Sequence, residues 1–204
     1  VPKSPTKRRP ATVAALTDSA LALFAERGFH ATSISDIVQR AGLTRGAFYS
    51  NFRDKEELFL ALYDAHTDRL LSGLRHQTES FTDDADPVAR VFDLLATHDA
   101  QERSWFLVSM EFTLHAARHP DVARALAGHE ERLNTGLAEI LGRCLESSGH
   151  TPDVSPTALA RLVVALYEGL TAMRVTHTTT DADPTPLARR ALPHLVRALG
   201  IPRD

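Results

Sequence analysis

Apolar residues recur along this chain at intervals of three and four, interrupted by polar breaks, and nowhere alternate for long. That period predicts helices throughout. The first is predicted over residues 11–27, with Leu16, Ala20, Leu23 and Phe24 on its buried face and Gly28 as its stop. A second is predicted over 34–41 behind the cap Ser33, with Asp36 three residues on as a short-armed capping box. A third follows over 45–52 behind Thr44, and a fourth over 54–77 carries Leu58, Leu62, Ala65, Leu70 and Leu74 as a partly apolar stripe. After an acidic break at 82–87, helices are expected at 88–98, 102–118, 120–147, 156–178 and 186–199. Polar, proline-containing linkers are expected at 148–155 and 178–186. The expected fold is all-α with about nine helices.

The stretch 33–55, SISDIVQRAGLTRGAFYSNFRDK, has the most specific pattern. Two helices that cross steeply need a sharp connection, often with glycine, and Gly42 stands at that point. Ile37, Ala41 and Leu43 supply apolar contacts around the turn, and Phe48 and Phe52 anchor one face of the third helix. The opposite face centres on Gly46 and Ser50, with Arg45, Ala47, Tyr49 and Asn51 beside them, polar or small enough to approach base edges. Ser33, Thr44 and Asp54 cap three helix starts, where free N–H groups and the helix dipole favour phosphate. Lys55, in the first turn of the fourth helix, is unfavourable for that dipole, a cost that a nearby phosphate would offset.

Charge adds to this picture. The 204 residues carry a net charge of −3, but residues 1–60 hold nine Lys or Arg against six Asp or Glu. The basic arm at 1–10, with Lys3, Lys7, Arg8, Arg9 and three prolines, is expected to be disordered in isolation; it could enter a minor groove or stay solvated. No apolar run approaches the ~20 residues of a membrane span, and the N-terminus lacks a signal peptide's apolar region, so a cytoplasmic location without membrane partners is expected. A single cysteine, Cys144, excludes an internal disulfide and a multi-cysteine metal site.

Residues 11–62 resemble the DNA-binding domain of TetR-family transcriptional regulators. The resemblance rests on LALFAERGFHATSISDI from Leu21, AGLTRGAFYSNF from Ala41 and DKEEL from Asp54. It implies phosphate contacts from Ser33, Thr44, Tyr49, Asn51 and Lys55. It implies base contacts from Arg45 and Gly46, with Ser35, Ala47 and Ser50 as further candidates. Two positions depart from the family pattern: Val38 stands where alanine is usual, and Asn51 where histidine is common.

The resemblance divides the chain into a helix-turn-helix domain over 11–60 and a ligand-binding and dimerisation domain over 61–204. The helix over 156–178 is apolar on several faces, which requires cover on several sides. Leu159, Leu162, Val163, Leu166 and Leu170, with Leu195 and Leu199 of the last helix, are the expected dimer contacts. Among the middle helices the resemblance implies a small-molecule pocket. Phe92, Trp105, Met110, Phe112, Tyr167 and Met173 are its expected lining, with Glu111, His115 or Glu168 as polar anchors.

Ten histidines invite a metal reading, but His115 and His119 have no evident third ligand, and no metal or cofactor is expected. No phosphate loop, dinucleotide fingerprint or nucleophile elbow appears, so no enzyme is expected. The resemblance therefore implies a homodimeric repressor that leaves a pseudo-palindromic double-stranded operator when a small effector binds. A helical carrier whose first helices merely pack is the competing class.

Overall fold

The computed structural model describes residues 8–79, 87–95, 100–176 and 185–202. Its helices are α1 (Arg8–Arg27), α2 (Ile34–Arg40), α3 (Arg45–Tyr49), α4 (Lys55–Glu79), α5 (Pro87–Leu95), α6 (Ala100–Ala116), α7 (Pro120–Ser147), α8 (Pro156–Thr176) and α9 (Thr185–Ala198). The predicted all-α class holds among the described residues. The only strands there are β1 (His150–Pro152) and β2 (Gly200–Pro202), paired antiparallel with Thr151 opposite Ile201. At three residues each they are too short to register as an alternating pattern.

Residues 1–7 of the expected arm, 82–86 of the acidic break and 178–184 of the second linker lie outside the described residues. Arg8–Pro10, expected within the arm, are helical; proline is tolerated in a first turn because its missing N–H would have no intrahelical partner there. The third helix is shorter than expected. It ends at Tyr49, with Ser50 as its C-cap.

The chain forms two compact units, one from Val1–His66 with Ser104–His129, the other from Thr67–Arg103 with Glu130–Asp204. The first unit has an aromatic core. Phe59 of α4 is stacked on Phe112 of α6 at a centroid distance of 3.9 Å, and Phe29 meets Phe112 edge-on at 5.1 Å. Trp105 is stacked on both Phe59 and His66, at 5.8 and 4.3 Å. Leu16, Ala20, Leu23 and Phe24 of α1 close this core, on the face their spacing predicts.

The second unit is aliphatic. Leu71 and Leu74 of α4, Val88 and Val91 of α5, Ile140, Leu141 and Leu145 of α7, and Leu159 and Val163 of α8 are buried together with Cys144. No helix among the described residues is long and apolar enough to cross a membrane.

Candidate nucleic-acid interface

Local chemistry shapes the α2–α3 surface. At the start of α2, Ser33 and Asp36 form a complete capping box: the Ser33 amide donates to Asp36 Oδ2 at 2.9 Å and the Asp36 amide to Ser33 Oγ at 3.2 Å. The Ser33 hydroxyl, which also donates to Asp36 Oδ2, and then the Ser33 amide hold the Asp36 carboxyl below the usual carboxylate range. Gly42, at φ +65°, ends α2 in a Schellman motif: Leu43 N–H donates to Val38 O at 2.8 Å and Gly42 N–H to Gln39 O at 3.2 Å. No atom crowds Gly42, so its conformation rather than its size calls for glycine. Thr44 then caps α3 by accepting from the Ala47 amide at 3.2 Å.

α3 is anchored by Phe48, fully buried, and by Phe52 beyond its end. Its other side, with Arg45, Gly46, Tyr49 and Ser50, is exposed, as are Ser33, Ser35 and Thr44. Arg45 donates to Ser35 Oγ at 2.9 Å and to the Tyr49 hydroxyl at 3.2 Å, so its guanidinium is held over the outer face of α2–α3. The Arg40–Glu26 ion pair, at 2.7 and 2.8 Å, ties α2 to α1.

Three further candidate contacts are also engaged within the protein. Ser50 donates to Gly46 O at 2.7 Å. Asn51 Nδ2 donates to Ala47 O at 2.7 Å, while its Oδ1 is buried without a hydrogen-bond partner. Lys55 departs furthest from the expectation. Its ammonium donates to Phe29 O at 2.6 Å and to Thr32 O at 2.8 Å and sits 4.3 Å from the Phe29 ring centroid. These acceptors, together with the ring, occupy the cation that the resemblance assigned to phosphate.

The structure places the residues expected to line a pocket around α6 mostly within hydrophobic cores. Trp105, Val108, Phe112 and Ala116 lie on one helical face and are buried in the first unit's core, so Trp105 and Phe112 are core aromatics. Glu111 accepts from the Phe29 amide at 2.7 Å, and His115 Nε2 lies 3.2 Å from Glu56 Oε1; both expected ligand anchors are thus bonded within this unit. Burial, reinforced by His119, pushes the His115 imidazole below its ordinary value, with Glu56 opposing. Met110 is half-buried.

Phe92 is likewise a core residue, of the second unit. In that unit burial pushes the Tyr167 hydroxyl up to about 12, with a contribution from Glu102. Glu168 occupies an exposed position on α8, yet desolvation and the like charge of Glu130 raise its carboxyl. Glu130 itself is raised by burial. One helical turn beyond it, Asn134 is buried and its Oδ1 has no hydrogen-bond partner. The sequence reading gave Asn134 no role; its four-residue spacing from Glu130 on α7 was the available signal that the two share a face.

The expected dimer residues also divide. Leu159 and Val163 face the second unit's own core, a correction, since an all-round apolar helix does not reveal which side its own chain covers. Leu162 and Leu195 are exposed, together with Met173 and Leu187, the last at 70%. Leu166, Leu170 and Leu199 are half-buried. Among the described residues no group of three or more His, Cys, Asp or Glu could hold a metal ion.

A short helix presented behind a Schellman turn, with its polar face outward and its aromatic face buried, defines a helix-turn-helix DNA-binding protein. Residues 16–62 match the model of the bacterial regulatory proteins of the tetR family, and residues 84–200 match the C-terminal model of the BetI-type transcriptional repressors. The chain belongs to the TetR family of transcriptional regulators, in its BetI-type branch.

It is 26% identical over 157 residues to the HTH-type transcriptional repressor Rv1474c of Mycobacterium tuberculosis, covering 77% of this chain and 79% of that protein. It is 36% identical over 83 residues to the HTH-type transcriptional activator FasR of Mycolicibacterium smegmatis, which is 39% of this chain and 37% of that one. A TetR-family regulator from Rhodococcus sp. has the same fold, with a TM-score of 0.76, 18% identity, and coverage of 91% of this chain and 98% of that one.

Proposed function

We propose that this regulator is a homodimeric, cytoplasmic, non-enzymatic repressor that leaves a pseudo-palindromic operator when a small effector binds. One observation carries the DNA side: Arg45 is held by Ser35 and Tyr49 on the exposed face of α2–α3. Each subunit inserts α3 into a major groove, with Arg45 and Gly46 at base edges and Ser35, Ala47 and Ser50 beside them. Ser33, Thr44 and Tyr49 meet the phosphates. Successive grooves on one face of DNA lie ~34 Å apart, so the dimer must present its two α3 helices at that spacing.

The dimer reading is supported by exposed Leu162 and Met173 on α8 and by Leu187 and Leu195 on α9, since a helix leaves such side chains uncovered only at a cost unless a partner covers them. The effector reading draws on the second unit, where burial raises the Tyr167 hydroxyl and the Glu168 and Glu130 carboxyls and Asn134 Oδ1 is buried without a hydrogen-bond partner. α4, unbroken from Lys55 to Glu79, is the proposed route of coupling. A coupling of ~1–3 kcal/mol would change operator affinity by 5–150-fold.

The test is selection of duplexes from a random-sequence pool, followed by a salt-dependent gel shift and sedimentation of the complex. A pseudo-palindromic site carrying two chains, with affinity falling as salt rises, is expected. Tight binding of a single chain to a site without symmetry would reject the dimeric reading.

A further inference from the structure

The segment between α1 and α2 is held from two other helices. Gly28, at φ +85°, ends α1, and Phe29 follows it. The Phe29 amide donates to Glu111 Oε2 of α6 at 2.7 Å. Its carbonyl accepts from Lys55 Nζ of α4 at 2.6 Å, and the same ammonium reaches Thr32 O at 2.8 Å. The N–H and C=O of one residue are therefore held by an anion on one helix and a cation on another.

The surroundings are built for this grip. A Cβ at Gly28 would lie 2.8 Å from Glu111 Oε2, so glycine there admits the carboxylate as well as the backbone turn. Thr32, 1% exposed, donates its hydroxyl to Gly28 O at 2.9 Å and to Leu23 O at 3.3 Å. Ser33, the cap of α2, comes next. Anything that moves the Phe29 peptide thus moves the start of α2 and, through the Schellman turn, α3. Burial lowers the Lys55 ammonium below its ordinary value, as fits a cation partly withdrawn from water.

We propose that Lys55 and Glu111 are positioning residues for DNA recognition: they clamp the Phe29 peptide from α4 and α6, set the angle at which α2–α3 is presented, and touch no DNA. The proposal rests on the DNA-binding function and replaces the phosphate role for Lys55. A phosphate contact and a clamp differ in what they do to salt dependence. Each neutralised phosphate contributes about −0.9 to the slope of log K against log salt on duplex DNA, whereas a residue that only aims the helix contributes nothing to it.

The experiment uses the full chain, with a duplex that the wild type selects from a random pool and an unselected duplex of equal length. The variants are Lys55→Met, Lys55→Arg, Glu111→Ala and Glu111→Gln, each assayed for both affinities over a salt series and for melting temperature. Lys55→Met and Glu111→Ala are expected to weaken binding to the selected duplex on the order of tenfold, as for loss of one charge-assisted hydrogen bond. Their affinity for the unselected duplex and their salt slopes stay unchanged. Glu111→Gln, which keeps an acceptor, retains most of the affinity. Lys55→Arg loses it, because a planar fork does not reproduce a point cation shared by two carbonyls.

If Lys55→Met weakens both duplexes alike and reduces the slope by about 0.9, Lys55 is a phosphate contact and the clamp is overturned. A fall in melting temperature with both affinities intact also overturns it, by reducing both residues to packing. If the wild type selects no duplex, the DNA-binding reading fails first and the clamp loses its purpose with it.

Discussion

The two compact units spend their apolar residues differently. In the first, aromatic rings stack on one another and the polar groups at the α1–α2 connection are matched by specific partners: Glu111 on an amide, Lys55 on two carbonyls, Thr32 on two more. In the second, the core is mainly aliphatic, and the exposed large apolar side chains Leu162, Met173, Leu187 and Leu195 fall on two helices, α8 and α9, whereas in the first Leu107 and Leu114 of α6 are exposed. A surface that must meet DNA repeatedly in one geometry needs fixed side chains. A surface that meets another copy of itself can leave leucines exposed in the single chain and bury them on assembly.

The largest expected effect tests that contrast directly. Leu162→Asp places a charge on the uncovered face of α8 and should convert a dimer into monomers by sedimentation. Operator affinity should then fall by ~10²–10⁴-fold, because the second half-site loses its tethered partner. A dimer that survives this change would place the subunit contact elsewhere and remove the contrast.

The next tests the first unit. Phe112→Ala removes a fully buried ring stacked on Phe59, at an expected cost of ~3–5 kcal/mol, measured by denaturant unfolding. Were this ring an effector contact rather than a core residue, the loss in stability would be small and the loss in effector response large.

The third sharpens the DNA face. Arg45→Ala should cost ~1–3 kcal/mol on the selected duplex and relax specificity at one position if Arg45 reads a guanine edge. Equal weakening on selected and random duplexes would instead assign Arg45 to phosphate.

How much of this was legible in the sequence varied with the range of the interaction. The α2–α3 unit was readable because its determinants are local: Ser33 and Asp36 three apart, Gly42 at the turn, Thr44 before α3, Phe48 on the inner face. α6 was hard to orient because Trp105 and Phe106 are both buried although adjacent, so the helix has no clean polar side. The role of Lys55 was illegible because its acceptors lie 23 and 26 residues upstream in the chain. α8 showed that an apolar helix needs cover on several sides, but its period could not assign Leu159 inward and Leu162 outward.

The smallest expected effect concerns the imidazole between the two kinds of contact in the first unit. His115 is packed against Phe29, with His30 and His119 rings at 5.1 and 4.2 Å, Glu56 on its Nε2, and Nδ1 buried without a hydrogen-bond partner. Its pKa in the folded chain lies below the ordinary 6.5, first because of burial and then because of His119. The folded state therefore binds fewer protons than the unfolded chain in the region just below pH 6.5. The neutral ring's contribution is complete above that value and is lost as pH falls through the folded pKa. His115→Gln removes the titration while keeping a donor for Glu56. On lowering the pH from 7.5 to 5.5, the wild-type melting temperature should thus fall more steeply than that of the variant. Parallel slopes would mean that His115 is protonated in the fold at little cost, with Glu56 outweighing burial.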